Sequence, residues 1–345
     1  MAVTISPTLP WQAEAWSQVM QMRERFPHAV LLHGPQGVGK TQFAEQLAQA
    51  LLCEAPLPDG HACGQCLACG WFAQYAHPDY RRVRPESMED AGAVDDAGAE
   101  TGKAAKAEKG VSKEIRIEQI RALANFINVS THRSGRRVVL LYPAEALNAI
   151  AANALLKTLE EPPPATVFLM VSHNIDRLLP TIVSRCRKVP LPMPGAAQAL
   201  AWLQAQGVSE AESWLAEQGG APLSALAQSQ AGSRDAVETL LAHLAKPAAD
   251  AALKTADQLQ KSSPADITAW LQRWLYDVFS VKFSGKIRYY PKYRREIDAL
   301  ALRADSLKLL DALKLASERR AIAEHPLSAK LFIEDMLLDY STVFA

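Results

Sequence analysis

The 345-residue sequence has no excess of charge of either sign, with 37 Lys and Arg against 37 Asp and Glu. A chain without net positive charge does not hold nucleic acid by bulk electrostatics, so any such contact must be local or made through partners. No apolar run approaches the ~20 residues that cross a bilayer. Met1 to Pro10 also lacks the charged start and apolar stretch of a secretion signal. A soluble, cytoplasmic protein with no membrane partner is therefore expected. Cysteine is scarce outside one segment: of five, four fall between Cys53 and Cys69. In a reducing compartment that crowding favours a metal over disulfides. Apolar residues make up 49%, enough to give each of two or three domains a core.

The first half alternates buried-strand and helix patterns. Ala29 to Leu32, Val138 to Leu141 and Thr166 to Val171 read as strands. Thr41 to about Leu52 reads as a helix, with Phe43, Leu47 and Leu51 on one face. A second apolar stripe, Leu147, Ile150, Ala151, Ala154, Leu155 and Leu159, is closed by Pro162-Pro163-Pro164. This alternation predicts a mainly parallel sheet covered by helices on both sides. Residues 87–112 are rich in Ala, Gly and charge and lack aromatics, so they read as a disordered insertion. After Pro190-Leu191-Pro192 the strand signals disappear and the pattern is helical to the end. Trp270, Trp274 and Phe279 there mark a packed helix face.

Between the first strand and its helix stands Gly34-Pro35-Gln36-Gly37-Val38-Gly39-Lys40-Thr41. This G-x-x-x-x-G-K-T pattern is a phosphate loop. Gly34, Gly37 and Gly39 let the backbone N–H groups, Val38 among them, wrap a phosphate at a helix N-terminus. Lys40 reaches the outer phosphates and Thr41 offers its hydroxyl to Mg²⁺. Hydrolysis also needs carboxylates at the end of a neighbouring strand, one for Mg²⁺ and one for the attacking water. The strand ending at Leu141 is followed instead by Tyr142, Pro143, Ala144 and Glu145. Glu145 is read as a helix-start residue rather than a substitute base. ATP and Mg²⁺ binding stays open, and hydrolysis is not expected.

Cys53, Cys63, Cys66 and Cys69 form a C-x9-C-x2-C-x2-C set. Four thiolates fill a tetrahedral Zn²⁺ and leave no open position, which makes the expected zinc structural. An iron–sulfur cluster is the weaker alternative. His61 and His77 are read as surface residues rather than substitute ligands.

Asn153-Ala154-Leu155-Leu156-Lys157-Thr158-Leu159-Glu160-Glu161-Pro162-Pro163 resembles the signature of the bacterial clamp-loader ATPase family. Leu179 to Cys186 resembles its Ser-Arg-Cys motif. With the loop and the cysteines, the resemblance spans 28–190. The remainder is similar more loosely, in helical content and in His325-Pro326-Leu327 before a Leu-rich helix. The resemblance implies an AAA+-type fold. Residues 1–192 would be an α/β P-loop domain with a zinc module at about 53–80, 193–245 a small helical lid and 246–345 a helical collar. It implies assembly with gamma/tau and delta subunits into a complex that loads the sliding clamp on primed DNA. Laid on the motor subunits' pattern, Tyr142 and Pro143 occupy the acidic positions, and Leu223 stands where a lid arginine senses phosphate. Both losses imply a non-hydrolysing subunit. The resemblance gives Arg185 the part of an arginine finger reaching a neighbouring subunit's ATP; Ser184 is read as orienting the turn and Cys186 as a small apolar core filler.

Three rival readings remain open: an active motor recruiting Glu145, a P-loop nucleotide kinase, and a stand-alone zinc nucleic-acid-binding protein. Two basic stretches are read as loops rather than DNA contacts. Lys282–Arg295 mixes six basic residues with Tyr289, Tyr290 and Tyr293 and reads as a solvated or inter-subunit loop. Thr131–Arg137 reads as solvated.

Overall fold

The computed structural model describes residues 8–88, 112–129, 131–132, 135–232, 234–323 and 328–344. Most of the 87–112 insertion, Arg133 and Ser134 of the first basic stretch, and the His325-Pro326-Leu327 run lie outside the described residues. Two compact units meet in sequence at Met193 and Pro194.

The first unit contains, in chain order, α1 (Ala13–Gln21), β1 (Ala29–His33), α2 (Lys40–Leu52), α3 (Leu67–Ala73), β2 (Tyr80–Val83), α4 (Ile117–Ile127), β3 (Arg137–Leu141), α5 (Ala149–Glu160), β4 (Thr166–Ser172), α6 (Pro180–Arg185) and β5 (Arg187–Pro190). The five strands form one parallel sheet in the order β2-β3-β4-β1-β5. β3 and β4 are buried along their whole length, as expected of parallel strands covered on both faces. Side chains alternate across the sheet. Val30, Leu32, Val138 and Leu140 pack with Trp16, Phe43 and Leu47 on one face. Ala29, Leu31, Val139 and Leu141 pack with Ile120, Leu123, Leu155 and Leu159 on the other.

The three strands expected from apolar runs are present. The two not foreseen, β2 and β5, are the sheet edges, where Arg81, Arg82, Arg187 and Lys188 break the apolar run. Charge on an edge strand discourages pairing with another chain, and it also hides the strand from a hydropathy reading. One member of the expected second stripe is misplaced: Ile150 is exposed, in the first turn of α5.

The second unit is helical: α7 (Ala196–Ala205), α8 (Ala211–Glu217), α9 (Pro222–Gln230), α10 (Arg234–Ala245), α11 (Ala249–Leu259), α12 (Pro264–Ser284), α13 (Arg294–Arg303), α14 (Ser306–Ile322) and α15 (Ala329–Thr342). A small cluster around Trp214 joins α7, α8 and α9. A larger one runs from Val237 to Val343 around Trp274, so α10 packs with the helices that follow it. Trp274 is fully buried and its indole N–H donates to the Tyr340 hydroxyl at 2.8 Å. That hydroxyl donates in turn to the Leu244 carbonyl at 2.7 Å, so both polar ends of this buried pair are satisfied. Trp270 is likewise core.

Candidate functional site

The phosphate loop joins β1 to α2, at the carboxyl end of the sheet where α/β folds bind ligands. Gly34 has φ 152°, and a Cβ there would stand 2.0 Å from the Leu191 carbonyl oxygen. No other residue fits without moving the β5 end. Gly37 and Gly39 are left-handed, at φ 79° and 88°. Val38 is fully buried and anchors the loop. Lys40 is buried and donates to the Gly34 carbonyl at 2.8 Å and the Pro35 carbonyl at 2.5 Å. Thr41 follows it in the first turn of α2. Burial pushes the Lys40 ammonium down to about 8, opposed by the Glu145 carboxylate. Burial, with Lys40 nearby, also lowers His173, and burial with Lys188 and then Lys40 lowers His33. Basic groups gathered at a helix N-terminus suit an anion.

Two residues that sequence reading missed hold the loop from behind. Gln12, almost fully buried, donates to the Val38 and Gly39 carbonyls at 2.9 and 3.0 Å. The Trp11 indole N–H reaches the Val38 carbonyl at 2.9 Å. Nothing in their spacing to Lys40 gives this away, because the contact is tertiary.

After β3 the chain runs through Tyr142 and Pro143 to Glu145. Tyr142 is buried against the β-sheet core, and its hydroxyl accepts a weak 3.4 Å hydrogen bond from Arg84. Pro143 starts a 3₁₀ turn, Ala144–Ala146, that holds Glu145. Glu145 is more than a helix-start residue. Its Oε1 accepts the Ser172 hydroxyl at 2.8 Å and the backbone N–H groups of His173 and Asn174 at 2.5 Å each. The carboxylate therefore ties the turn after β3 to the end of β4. Thr41 and the loop fit a phosphate chain, and the Glu145 carboxylate, with Oε1 taken and Oε2 buried without a hydrogen bond among the described residues, acts on the Lys40 charge.

The cysteine cluster closes at the end of α2 and the start of α3. The sulfurs of Cys53, Cys63, Cys66 and Cys69 all lie within 4.8 Å of one another. Measured pairs are 3.5 Å for Cys53–Cys63, 3.9 Å for Cys53–Cys66 and 4.0 Å for Cys63–Cys69. A tetrahedron with metal–sulfur bonds of about 2.3 Å has edges of about 3.8 Å, so the four sulfurs fit one zinc ion. A multi-iron cluster, each thiolate on a different iron, needs them further apart. Backbone N–H groups point at the sulfurs: Gln65 and Cys66 at Cys63, Cys63 at Cys53, and Cys69 at Cys66. Those donors lower the Cys63 thiol to about 6, whereas burial raises Cys69.

Neither histidine joins the cluster, and neither is a plain surface residue. His61 stacks on Trp16 with centroids 4.1 Å apart and pairs with Asp59 at 3.1 Å. His77 is 3% exposed, and its Nδ1 accepts the Asp79 N–H at 3.0 Å.

Arg185 ends α6 with its side chain one-third exposed. Its Nη2 donates to Glu160 Oε1 at 2.5 Å, and its Nη1 to the Thr181 carbonyl at 2.9 Å. Ser184 donates to the same Thr181 carbonyl at 3.0 Å, which holds the turn. Cys186 is buried beside Met170, and burial lifts its thiol to about 11, making it an inert packing group.

The two basic stretches are less solvated than their composition indicates. Asp277, fully buried on α12, accepts the backbone N–H groups of Arg288, Tyr289 and Tyr290 and so organises the loop before α13. Tyr290 is core, Tyr293 packs edge-on against Trp274, and Lys292 pairs with Glu210 at 2.7 Å. The tyrosines are packing groups rather than a base-stacking row. Arg137, expected in a solvated loop, is buried: it stands 3.7 Å from the Asp79 carboxylate and stacks over Phe126.

A glycine-rich loop carrying Lys40 and Thr41, set between a buried parallel strand and a helix, defines a P-loop-type α/β domain. The chain belongs to the DNA polymerase III delta-subunit family, whose model matches residues 11–194; a model of that subunit's C-terminal part matches 229–342. The chain is 46% identical over 194 residues to DNA polymerase III subunit delta′ of Pseudomonas aeruginosa, which is 56% of this chain and 52% of that protein. It is 31% identical over 242 residues to the Escherichia coli subunit of the same name, 68% of this chain and 65% of that protein. With the Haemophilus influenzae subunit the match is 32% over 199 residues. In the first of these the chain spans about half the length of the relative it matches. Among solved structures, a DNA polymerase III gamma-subunit-related protein from Thermotoga maritima superposes with TM-score 0.45 at 15% identity, covering 96% of this chain and all of that one. That likeness is too loose to carry weight. Among the described residues no helix is long and apolar enough to cross a membrane.

Proposed function

We propose that this chain is a non-hydrolysing subunit of the bacterial sliding-clamp loader, working in the cytoplasm during DNA replication. One observation carries the reading. After β3, Tyr142 and Pro143 stand where a hydrolytic site needs acids, and the carboxylate that follows them, Glu145, is tied through Oε1 to three donors at the end of β4. The loop around Lys40 keeps the shape to hold ATP without turning it over. Arg185, one-third exposed at the end of α6, is supplied in trans to the ATP of a neighbouring gamma/tau subunit. There its guanidinium stabilises charge on the phosphoryl group in transfer. The four cysteines hold a structural zinc. Residues 193–233 act as the lid and 234–345 as the collar that joins gamma/tau and delta, the boundary falling before α10 rather than at the expected 245 because α10 shares the core of the helices after it. Clamp and primed DNA are met mainly through the complex.

The test is ATP turnover by a complex reconstituted from gamma/tau, delta and this chain, with clamp and primed DNA present. Arg185→Ala should cost about a thousandfold at the one site it serves, with assembly preserved. An unchanged rate removes Arg185 from the mechanism. Steady ATP turnover by the isolated chain overturns the non-hydrolysing assignment and favours the motor reading.

A further inference from the structure

Glu160 sits where helix physics disfavours it. It is the last residue of α5, and the partial negative charge of a helix C-terminus repels a carboxylate. Its side chain is about half exposed, so no burial requirement explains it. What it touches is Arg185: its Oε1 accepts from Nη2 at 2.5 Å. The other terminal nitrogen, Nη1, is tied to α6 itself through the Thr181 carbonyl at 2.9 Å and the Ser184 hydroxyl at 3.5 Å. The guanidinium is thus gripped from two elements at once. Its Nε–H and the second Nη2 hydrogen have no partner among the described residues.

We infer that Glu160 is a positioning residue for Arg185, fixing the direction of the guanidinium before a neighbouring subunit arrives. The inference rests on the arginine-finger reading. An unrestrained arginine loses much rotamer freedom when it engages a phosphate, and a planar fork already held in place loses less. A single-oxygen contact at a partly exposed site suits this role. It orients the group without burying it, and it leaves donors for the phosphoryl oxygens. A bidentate, buried pair would hold the charge back instead.

The experiment is a double-mutant cycle in the reconstituted complex, using ATP turnover with clamp and primed DNA as the readout. Glu160→Ala should lower kcat about two- to fivefold, the effect of an exposed ion pair, with KM for ATP unchanged. Glu160→Gln, which keeps an acceptor oxygen, should recover part of that loss. In an Arg185→Ala background, Glu160→Ala should cost nothing further. The melting temperature of the isolated chain should be the same for all variants. If Glu160→Ala leaves the rate unchanged while Arg185→Ala lowers it, Glu160 is a bystander and the finger reading stands alone. If Glu160→Ala raises the rate, the contact restrains Arg185, which overturns positioning. If Glu160→Ala still slows an Arg185→Ala complex, its effect is structural and the inference fails. If Arg185→Ala itself changes nothing, the finger reading falls and takes this inference with it.

Discussion

The cysteine cluster and the phosphate loop lie in the same unit and begin at opposite ends of the same helix, α2, yet they close in different ways. All four sulfurs come from one short stretch, and the backbone that carries them also donates hydrogen bonds to them. The phosphate loop is only half local. Its glycines and Lys40 are contiguous, but the groups facing Lys40 come from the turn after β3 and the end of β4. A locally closed site survives as a unit. An assembled site depends on the fold for its second half, and here Glu145 also ties the turn after β3 to the end of β4.

The largest expected effect tests the closed site. Structural zinc in small modules is worth on the order of 10 kcal/mol of apparent binding energy. Cys63→Ser, or chelation, should release one zinc per chain and lower the melting temperature sharply, followed by a metal-indicator assay and circular dichroism. A chain that melts identically without metal breaks the comparison at its first term.

Next comes the tie at the assembled site. Glu145→Ala leaves three donors without their acceptor and should cost about 2 kcal/mol in urea denaturation. Glu145→Gln, which retains an oxygen, should cost less. A carboxylate poised for catalysis rather than structure would show almost no stability change.

The Lys40 titration sharpens the binding half. With ¹³C-labelled lysine, its signal should titrate near pH 8, below the ordinary lysine value. The folded chain gives up this proton more readily than the unfolded one. The unfolded state therefore holds the extra proton between pH 8 and the ordinary lysine range, and stability rises with pH through that window. Added ATP should move the midpoint upward. A titration at the ordinary lysine value would place the ammonium in solvent.

The smallest effect is at Tyr142. Tyr142→Phe removes only a 3.4 Å contact with Arg84 and should change stability by less than about 0.5 kcal/mol. A larger loss would show that the phenol has a second use.

These contrasts explain what could be read from the sequence. β1, β3 and β4 were legible as apolar runs, and the loop and the cysteines were legible as spacings, because each is a local pattern. β2 and β5 were hidden by the charge that edge strands carry. Trp11, Gln12, Glu145 and Asp277 were missed as structural anchors because each acts on backbone groups brought near only by folding. A side chain that binds main chain leaves no trace in the sequence of its partner. Tyr290, in a stretch read as a solvated or inter-subunit loop, and Arg137, in one read as solvated, turn inward for a reason composition does not report, namely which residue of a basic run the fold buries.

One backbone contact has a consequence for how this domain can vary. The Ser87 N–H donates to the Ser112 carbonyl at 3.0 Å, clasping together the two points where the chain leaves and rejoins the described structure between β2 and α4. Because the contact runs from main chain to main chain, it does not depend on which side chains stand at 87 and 112, so the approach of β2 to α4 at this point is held by the backbone itself.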